Sequence, residues 1–137
     1  MNYFSLATQE PEVRTLSGIA TIAIKNLRLR TYIGFNPDER AKKQDVVINV
    51  RIQHHPHPAA LRDDVENALD YKVITKSIID HVERGRFLLL EKLAGDLIDI
   101  CCSDPAVTRV EVTVDKPHAL RFADSVSVTL EHEPIPN

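Results

Sequence analysis

The sequence predicts a single α+β domain with the element order β-β-α-α-β-β. Three observations carry this prediction: apolar and polar residues alternate between about positions 22 and 52, apolar residues recur at helical spacing between about 71 and 102, and alternation returns between 110 and 130. Hairpins at both ends imply an antiparallel sheet with two helices laid across one face. We expect the domain to span residues 19–133, between a flexible arm at 1–18 and a tail at 134–137.

The composition is that of a globular chain. Its 137 residues are 43% hydrophobic and 27% charged, which excludes a disordered chain, and its net charge of −3 gives no whole-chain signal for nucleic acid. No apolar run approaches the roughly 18 residues of a membrane span, and no signal peptide is visible. Cys101 and Cys102 are adjacent and have no other cysteine to pair with, so we expect a reducing, cytoplasmic setting and a packing role for both.

Two N-terminal strands form the first predicted hairpin. The alternation between residues 22 and 31 changes phase at Lys25-Asn26, which indicates a β-bulge. A polar, proline-containing loop spans residues 34–44, and a second strand follows at 46–52. The other face of that strand is polar but weakly charged, and open strand edges favour a homo-oligomer built by edge-to-edge pairing.

Two helices occupy the middle of the chain. Apolar residues recur every three or four positions from Tyr71 to Val82, and Gly85 stands where a C-terminal capping glycine is expected. A second helix is predicted over about residues 87–102, because the Asp-Pro pair that follows ends it.

Three histidines lie in the connection before the first helix, in the tract His54-His55-Pro56-His57. Its prolines prevent helical i,i+4 spacing, and the tract itself contains no carboxylate or thiol. We therefore interpret it as a loop rather than a metal site.

Glu91 breaks the pattern of the second helix. Its helical row consists of Ala94, Gly95, Ile98 and Cys102, which are small and apolar. A lone carboxylate in such surroundings needs hydrogen-bond donors. Two explanations stay open: the side chain reaches water or an arginine, or a ligand with a flat, amidine-like edge supplies two N–H groups.

The connection between the last two strands lacks glycine and carries Lys116, His118 and Arg121. A hairpin that only turned would prefer Asn-Gly or Asp-Gly. Lysines in loops are usually solvated, but these three side chains together could meet an anionic group. Glu39 in the first hairpin loop and Tyr71 at the start of the first helix are each ordinary alone.

Five segments together resemble the dihydroneopterin aldolase family, and more closely its epimerase branch. HALRFADSVS is similar to the epimerase loop, whereas aldolases often have Tyr-His-Gly where this chain reads Tyr32-Ile33-Gly34. The resemblance implies the tunnelling fold (T-fold), a β-β-α-α-β-β unit whose rings of four form barrels and stack into octamers with active sites between subunits. The segments, between Ile22 and Leu130, are IKNLRLRTYIG, NPDER…QDVVINV, ALDYKVITKSIIDHVE, RFLLLEKLAGD and VDKPHALRFADSVSVTL.

The resemblance also implies how a pterin would be held. Glu91, with the Leu90 backbone beside it, matches the glutamate that anchors the pterin's 2-amino and N3 hydrogens. Tyr71 matches the tyrosine that stacks on the ring from a neighbouring subunit, and Leu69 and Asp70 match backbone contacts next to it.

The implied catalytic residues are Lys116, Glu39 and Tyr71, with the glutamate positioning or polarising the lysine. The implied reaction inverts C2′ of 7,8-dihydroneopterin triphosphate by retro-aldol and aldol steps, giving 7,8-dihydromonapterin triphosphate without metal or cofactor. His118 and Arg121 are our hypothesis for the groups that hold the phosphorylated end.

Two other functions stay open at this point. One is an aldolase that releases glycolaldehyde and 6-hydroxymethyl-7,8-dihydropterin, and the other is a non-catalytic pterin-binding oligomer. An RNA-binding module is disfavoured because the chain lacks an aromatic-rich strand and a basic net charge. We expect a pterin and further copies of the chain as partners, and no nucleic acid or membrane.

Overall fold

The computed structural model describes residues 18–135, so the predicted arm up to residue 17 and the last two residues of the tail lie outside the described residues. The α+β fold and the order of the long elements are confirmed. The strands are β1 (Ala20–Ile33), β2 (Gln44–His54), β3 (Arg86–Phe87), β4 (Val107–Pro117) and β5 (Ser125–His132), and the helices are α1 (Pro37–Ala41), α2 (Tyr71–Arg84) and α3 (Leu90–Cys101), with 3₁₀ turns at Ala60–Arg62 and Val65–Asn67.

The sheet has the strand order β3-β1-β2-β4-β5. Its four long strands form three antiparallel pairs, whereas β3 pairs with the end of β1 in parallel. The sequence did not predict β3, and the second helix was predicted to begin too early. Arg86–Phe87 is extended instead, and α3 begins only at Leu90.

One face of the sheet and the two long helices enclose the core. Ile48, Val50 and Ile52 of β2 are fully buried, and the alternate residues of β4 opposite them are buried too. Ile78 of α2 and Leu93 of α3 are also fully buried. Burying one such side chain stabilises the fold by about 1.5–3 kcal/mol. The predicted placement of both helices on one face follows from this pattern.

The predicted β-bulge lies in β1. The pairing with β2 shifts between Ile24 and Leu27, so both side chains pack against the same core. Asn26 has a left-handed φ of 54°, a conformation that asparagine tolerates better than most residues. Its backbone N–H donates to Asn49 Oδ1 at 2.9 Å, and Asn49 Nδ2 donates to Asn26 Oδ1 at 3.3 Å. The sequence-based prediction of a bulge is confirmed.

Gly85 follows α2 as predicted, but it is not a left-handed cap. Its φ is −94° because the chain leaves the helix directly in an extended conformation and enters β3. The position still favours glycine, since a Cβ atom there would overlap the ring of Phe87.

The two long helices are joined by a polar contact, in which His81 Nε2 of α2 lies 2.8 Å from Asp96 Oδ2 of α3.

Cys101 is buried in the core, as predicted, and burial raises the pKa of its thiol to about 12. The thiol is therefore protonated at neutral pH and acts as a small apolar side chain.

Among the helices within residues 18–135, none has both the length and the apolar character needed to cross a membrane.

Candidate active site

Glu39 is held by the short helix α1 in the first hairpin loop, where the sequence predicted only an irregular loop. Asn36 caps this helix, because its Oδ1 accepts a hydrogen bond from Glu39 N at 2.9 Å, and Pro37 occupies the first turn. The stretch NPDER thus fixes the backbone from which the Glu39 carboxylate points towards the end of the sheet.

Lys116 and Glu39 form a direct ion pair between the two hairpins. Lys116 is the penultimate residue of β4, and its Nζ donates to Glu39 Oε2 at 2.6 Å. The side chains are only 13% and 20% exposed. Gln44 supports the pair, since its Nε2 donates to Ile33 O at 2.7 Å and to Glu39 Oε2 at 3.3 Å.

The pair has a clear electrostatic consequence. The hydrogen bond from Lys116 is the main cause that lowers the pKa of Glu39, while partial burial opposes it and Gln44 adds to it. Glu39 is therefore a carboxylate at neutral pH and holds the Lys116 amine in one position. Such a pair can place and exchange a proton at a bound ligand.

Gly34 leaves the space that the Glu39 carboxylate occupies. It has a φ of 127°, which side-chain-bearing residues rarely adopt, and a Cβ atom built on it would overlap the carboxylate. Its N–H donates to Phe87 O at 2.9 Å, so β3 fixes Gly34 from the other side.

Leu90 and Glu91 begin α3, three residues after β3, at the same end of the sheet as Gly34. Leu90 is buried, but Glu91 is exposed, so in the single chain its side chain reaches water, which is one of the two explanations that the sequence left open. The reason is its place in the first helical turn, at the rim of a shallow depression of about 420 Å³ that Gly95 and Leu130 also line. A carboxylate in that turn also interacts favourably with the helix dipole.

Tyr71 lies at the other end of the molecule. It begins α2, is 49% exposed, and lines a groove of about 850 Å³ together with Leu69 and His54. Asp70 caps the helix, because its Oδ1 accepts from Lys72 N at 3.1 Å and from Val73 N at 3.2 Å. The 14 residues of α2 span about 21 Å. One chain therefore does not bring Tyr71 next to Lys116.

The two remaining loop residues differ in their surroundings. His118 has a left-handed φ of 63° and lines a depression of about 270 Å³. This depression lies on the face of the sheet that points away from the helices, which we call the outer face. The Arg121 guanidinium instead lies 5.3 Å from the centre of the Phe122 ring. The structure does not place the two side chains in one depression.

The histidine tract forms the end of β2 and the loop beyond it. His54 is buried, and burial is the main cause that lowers the pKa of its ring. His57 Nδ1 accepts a hydrogen bond from Ala59 N at 3.0 Å. In the part of the chain that the structure describes, no group of three or more histidine, cysteine, aspartate or glutamate side chains is placed to hold a metal.

Sequence reasoning missed Gln44 and Gly34, and a signal existed for each. Gln44 has the same alternation phase as Val46 and Ile48, so a polar side chain occupies an inward-facing position. A polar residue in a core phase indicates a specific hydrogen-bond partner. Gly34 is the first residue of the polar loop at the end of β1, where a glycine often marks close approach of another group.

A partly buried lysine–carboxylate pair at the end of a sheet has the chemical groups that general acid–base catalysis uses. Residues 22–131 match the family model described as dihydroneopterin aldolase. The chain belongs to this family, as the five resembling segments predicted.

Two curated relatives carry the same name, dihydroneopterin triphosphate 2′-epimerase. The protein from Pseudomonas aeruginosa is 52% identical over 113 residues, covering 82% of this chain and 92% of that protein. The protein from Escherichia coli K12 is 53% identical over 111 residues, covering 81% and 92%.

An aldolase is more distant in sequence but similar in fold. Escherichia coli K12 dihydroneopterin aldolase is 29% identical over 110 residues, covering 80% of this chain and 90% of that protein. A crystal structure of the E. coli aldolase in complex with neopterin superimposes with a TM-score of 0.77 at 28% identity, covering 82% of this chain and 98% of that one. The fold comparison confirms the predicted tunnelling fold for the single chain.

Proposed function

We propose that this protein is an enzyme that inverts C2′ of 7,8-dihydroneopterin triphosphate and so forms 7,8-dihydromonapterin triphosphate. The observation that carries this proposal is the partly buried Lys116–Glu39 pair at 2.6 Å. The identity of 52–53% to the two epimerases, against 29% to the aldolase, favours epimerisation as the main reaction.

The substrate supplies its own electron sink. When a proton leaves the 2′-hydroxyl, the C1′–C2′ bond can break, and its electron pair moves into the C6=N5 imine. A proton is then delivered near N5, and the released aldehyde turns before the bond re-forms on its other face. Lys116 transfers the protons in this scheme, while Glu39 holds the amine in place.

We assign recognition of the pterin ring to Glu91 with the Leu90 backbone. Exposure of the Glu91 carboxylate leaves it free to accept two N–H groups from a flat amidine edge. Tyr71, with Leu69 and Asp70 beside it, would cover the ring from a second copy of the chain. The helix length of about 21 Å between the two ends of α2 supports a shared site rather than one within a chain.

The sheet edges support the same assembly. Within residues 18–135, β3 pairs with only Tyr32 and Ile33, so these residues leave most of the other edge of β1 open, and β5 forms the opposite edge of the sheet over eight residues. Exposed strand edges of this length are usually paired or covered. Pairing β5 of one copy with β1 of the next would give the ring that we propose, and two rings would give an octamer.

We also infer a cytoplasmic, reducing compartment, because Cys101 is a free thiol packed in the core and Cys102 lies directly beside it. A reducing setting preserves such a thiol.

Aldol cleavage is a second activity of the same residues. If the aldehyde leaves before the bond re-forms, the products are 6-hydroxymethyl-7,8-dihydropterin and glycolaldehyde or its phosphorylated form. The aldolase relative, which is 29% identical and shares the fold, favours this side reaction.

The test is to incubate the protein without added metal, separately with 7,8-dihydroneopterin triphosphate and with 7,8-dihydroneopterin. After dephosphorylation and oxidation, chromatography separates neopterin, monapterin and 6-hydroxymethylpterin. We expect monapterin to predominate from the triphosphate. Mostly 6-hydroxymethylpterin from the unphosphorylated substrate would identify an aldolase instead, and bound pterin without turnover would identify a binding protein.

A further inference from the structure

We propose that a basic depression on the outer face of the sheet binds the phosphate tail of the substrate, with Arg28 as its main anion-binding residue. This inference rests on the proposed function, since it names the phosphate-binding part of the same site. The depression has a volume of about 270 Å³ and is lined by Arg28, Arg30, Asp45 and His118 among others.

The depression lies next to the end of the strand that carries Lys116. His118 follows β4 directly and is two residues beyond Lys116, a backbone distance of about 7 Å. The triphosphate hangs from the carbon next to C2′, so its tail can extend past the strand end while Lys116 acts at C2′. The left-handed backbone at His118 sets the direction of its side chain.

Arg28 is the cation available to an anion. Its side chain is exposed, and within residues 18–135 the structure gives that side chain no hydrogen bond or ion pair, whereas its backbone pairs with Val47 of β2. Arg30, in contrast, donates to Asp45 Oδ1 at 2.6 Å and to Lys43 O at 3.0 Å. Those contacts fix Arg30 at the wall of the depression. The planar fork of an arginine matches phosphate oxygens and forms strong charge-assisted hydrogen bonds.

Arg121 is less suited to this role than the sequence suggested. Its guanidinium lies over the exposed Phe122 ring and does not line the depression with His118. We therefore assign the main phosphate contact to Arg28 on the outer face of β1 and not to Arg121 in the loop.

The experiment compares Arg28→Ala with the wild-type protein on both the triphosphate and the unphosphorylated substrate. Arg51→Ala is the matched control, because Arg51 is an exposed arginine on the same face that does not line the depression. Loss of a charge-assisted contact should lower kcat/KM for the triphosphate by about tenfold or more relative to the unphosphorylated substrate. Arg28→Lys should recover part of this loss. The control Arg51→Ala should leave kcat/KM unchanged for both substrates. An equal loss on both substrates would overturn the inference and leave the proposed function intact.

Calorimetric titration of the wild-type protein with inorganic tripolyphosphate tests the depression independently of turnover. We expect binding that weakens about tenfold in Arg28→Ala and that falls with added salt. Equal or absent binding in the wild type and the variant would overturn the inference. Arg28-dependent binding by a protein that epimerises nothing would support the depression while contradicting the proposed function.

Discussion

Replacing Gly34 by alanine should disturb the Lys116–Glu39 pair without changing either of its members. Gly34 has a φ of 127°, and an added Cβ atom would overlap the Glu39 carboxylate. The substitution therefore has two separable costs, which are backbone strain and displacement of the carboxylate from Lys116.

The two costs can be estimated from the contacts. A non-glycine residue in a sparsely populated backbone region costs about 1–3 kcal/mol. Displacing Glu39 leaves Lys116 without its partner in a site where the two side chains are 13% and 20% exposed, which adds about 1–3 kcal/mol. In a Glu39→Ala background the overlap is gone and only the strain remains. The double variant should therefore be more stable than the sum of the single effects predicts, by the one pair loss that is counted twice, about 1–3 kcal/mol.

Urea unfolding of the wild type, Gly34→Ala, Glu39→Ala and the double variant, all at one protein concentration, measures this coupling. Gly34→Ala alone should also reduce turnover of 7,8-dihydroneopterin triphosphate. Gly18→Ala is the control, since a Cβ atom at Gly18 meets nothing within 4 Å. Free energies that add to within about 0.5 kcal/mol would refute the reasoning, because the Glu39 carboxylate would then not lie against Gly34.

Three further predictions concern other groups. Lys116→Met should lower kcat by about 10²–10⁴-fold while pterin binding, measured by fluorescence titration, persists, and unchanged turnover would remove Lys116 from the mechanism. Burial alone would raise the pKa of Asp96, but the contacts with Lys92 and His81 outweigh it and lower this pKa below its ordinary value of 3.8. The ion pairs of Asp96 therefore stabilise the fold above pH 3.8, and this stabilisation is lost as the pH falls through the lowered pKa. The stability difference between wild type and Asp96→Asn in urea should therefore shrink below about pH 4, and a constant difference would contradict this. Cys101, with its pKa near 12, should react with a thiol reagent at pH 8 only after unfolding, whereas rapid labelling of the native protein, located by mass spectrometry, would contradict its burial.

The long elements were predictable from sequence because their side chains repeat over several turns or pleats. Even the bulge at Asn26 left a signal, since one extra residue reverses the alternation of β1. The exposure of Glu91 was not predictable from its helical row. That row gives the direction of a side chain, whereas its exposure also depends on its place in the first turn of α3.

The parts that sequence reasoning missed are those that position the Lys116–Glu39 pair. Helix α1 has five residues and β3 has two, so neither is long enough for a hydrophobic period to appear. Both are instead set by single contacts: the Asn36 cap fixes the backbone of Glu39, and Phe87 O fixes Gly34. The two short elements therefore fix the position of the Glu39 carboxylate with which Lys116 pairs. A change at Asn36 or Gly34 should consequently lower turnover although neither residue belongs to the pair, because both position Glu39.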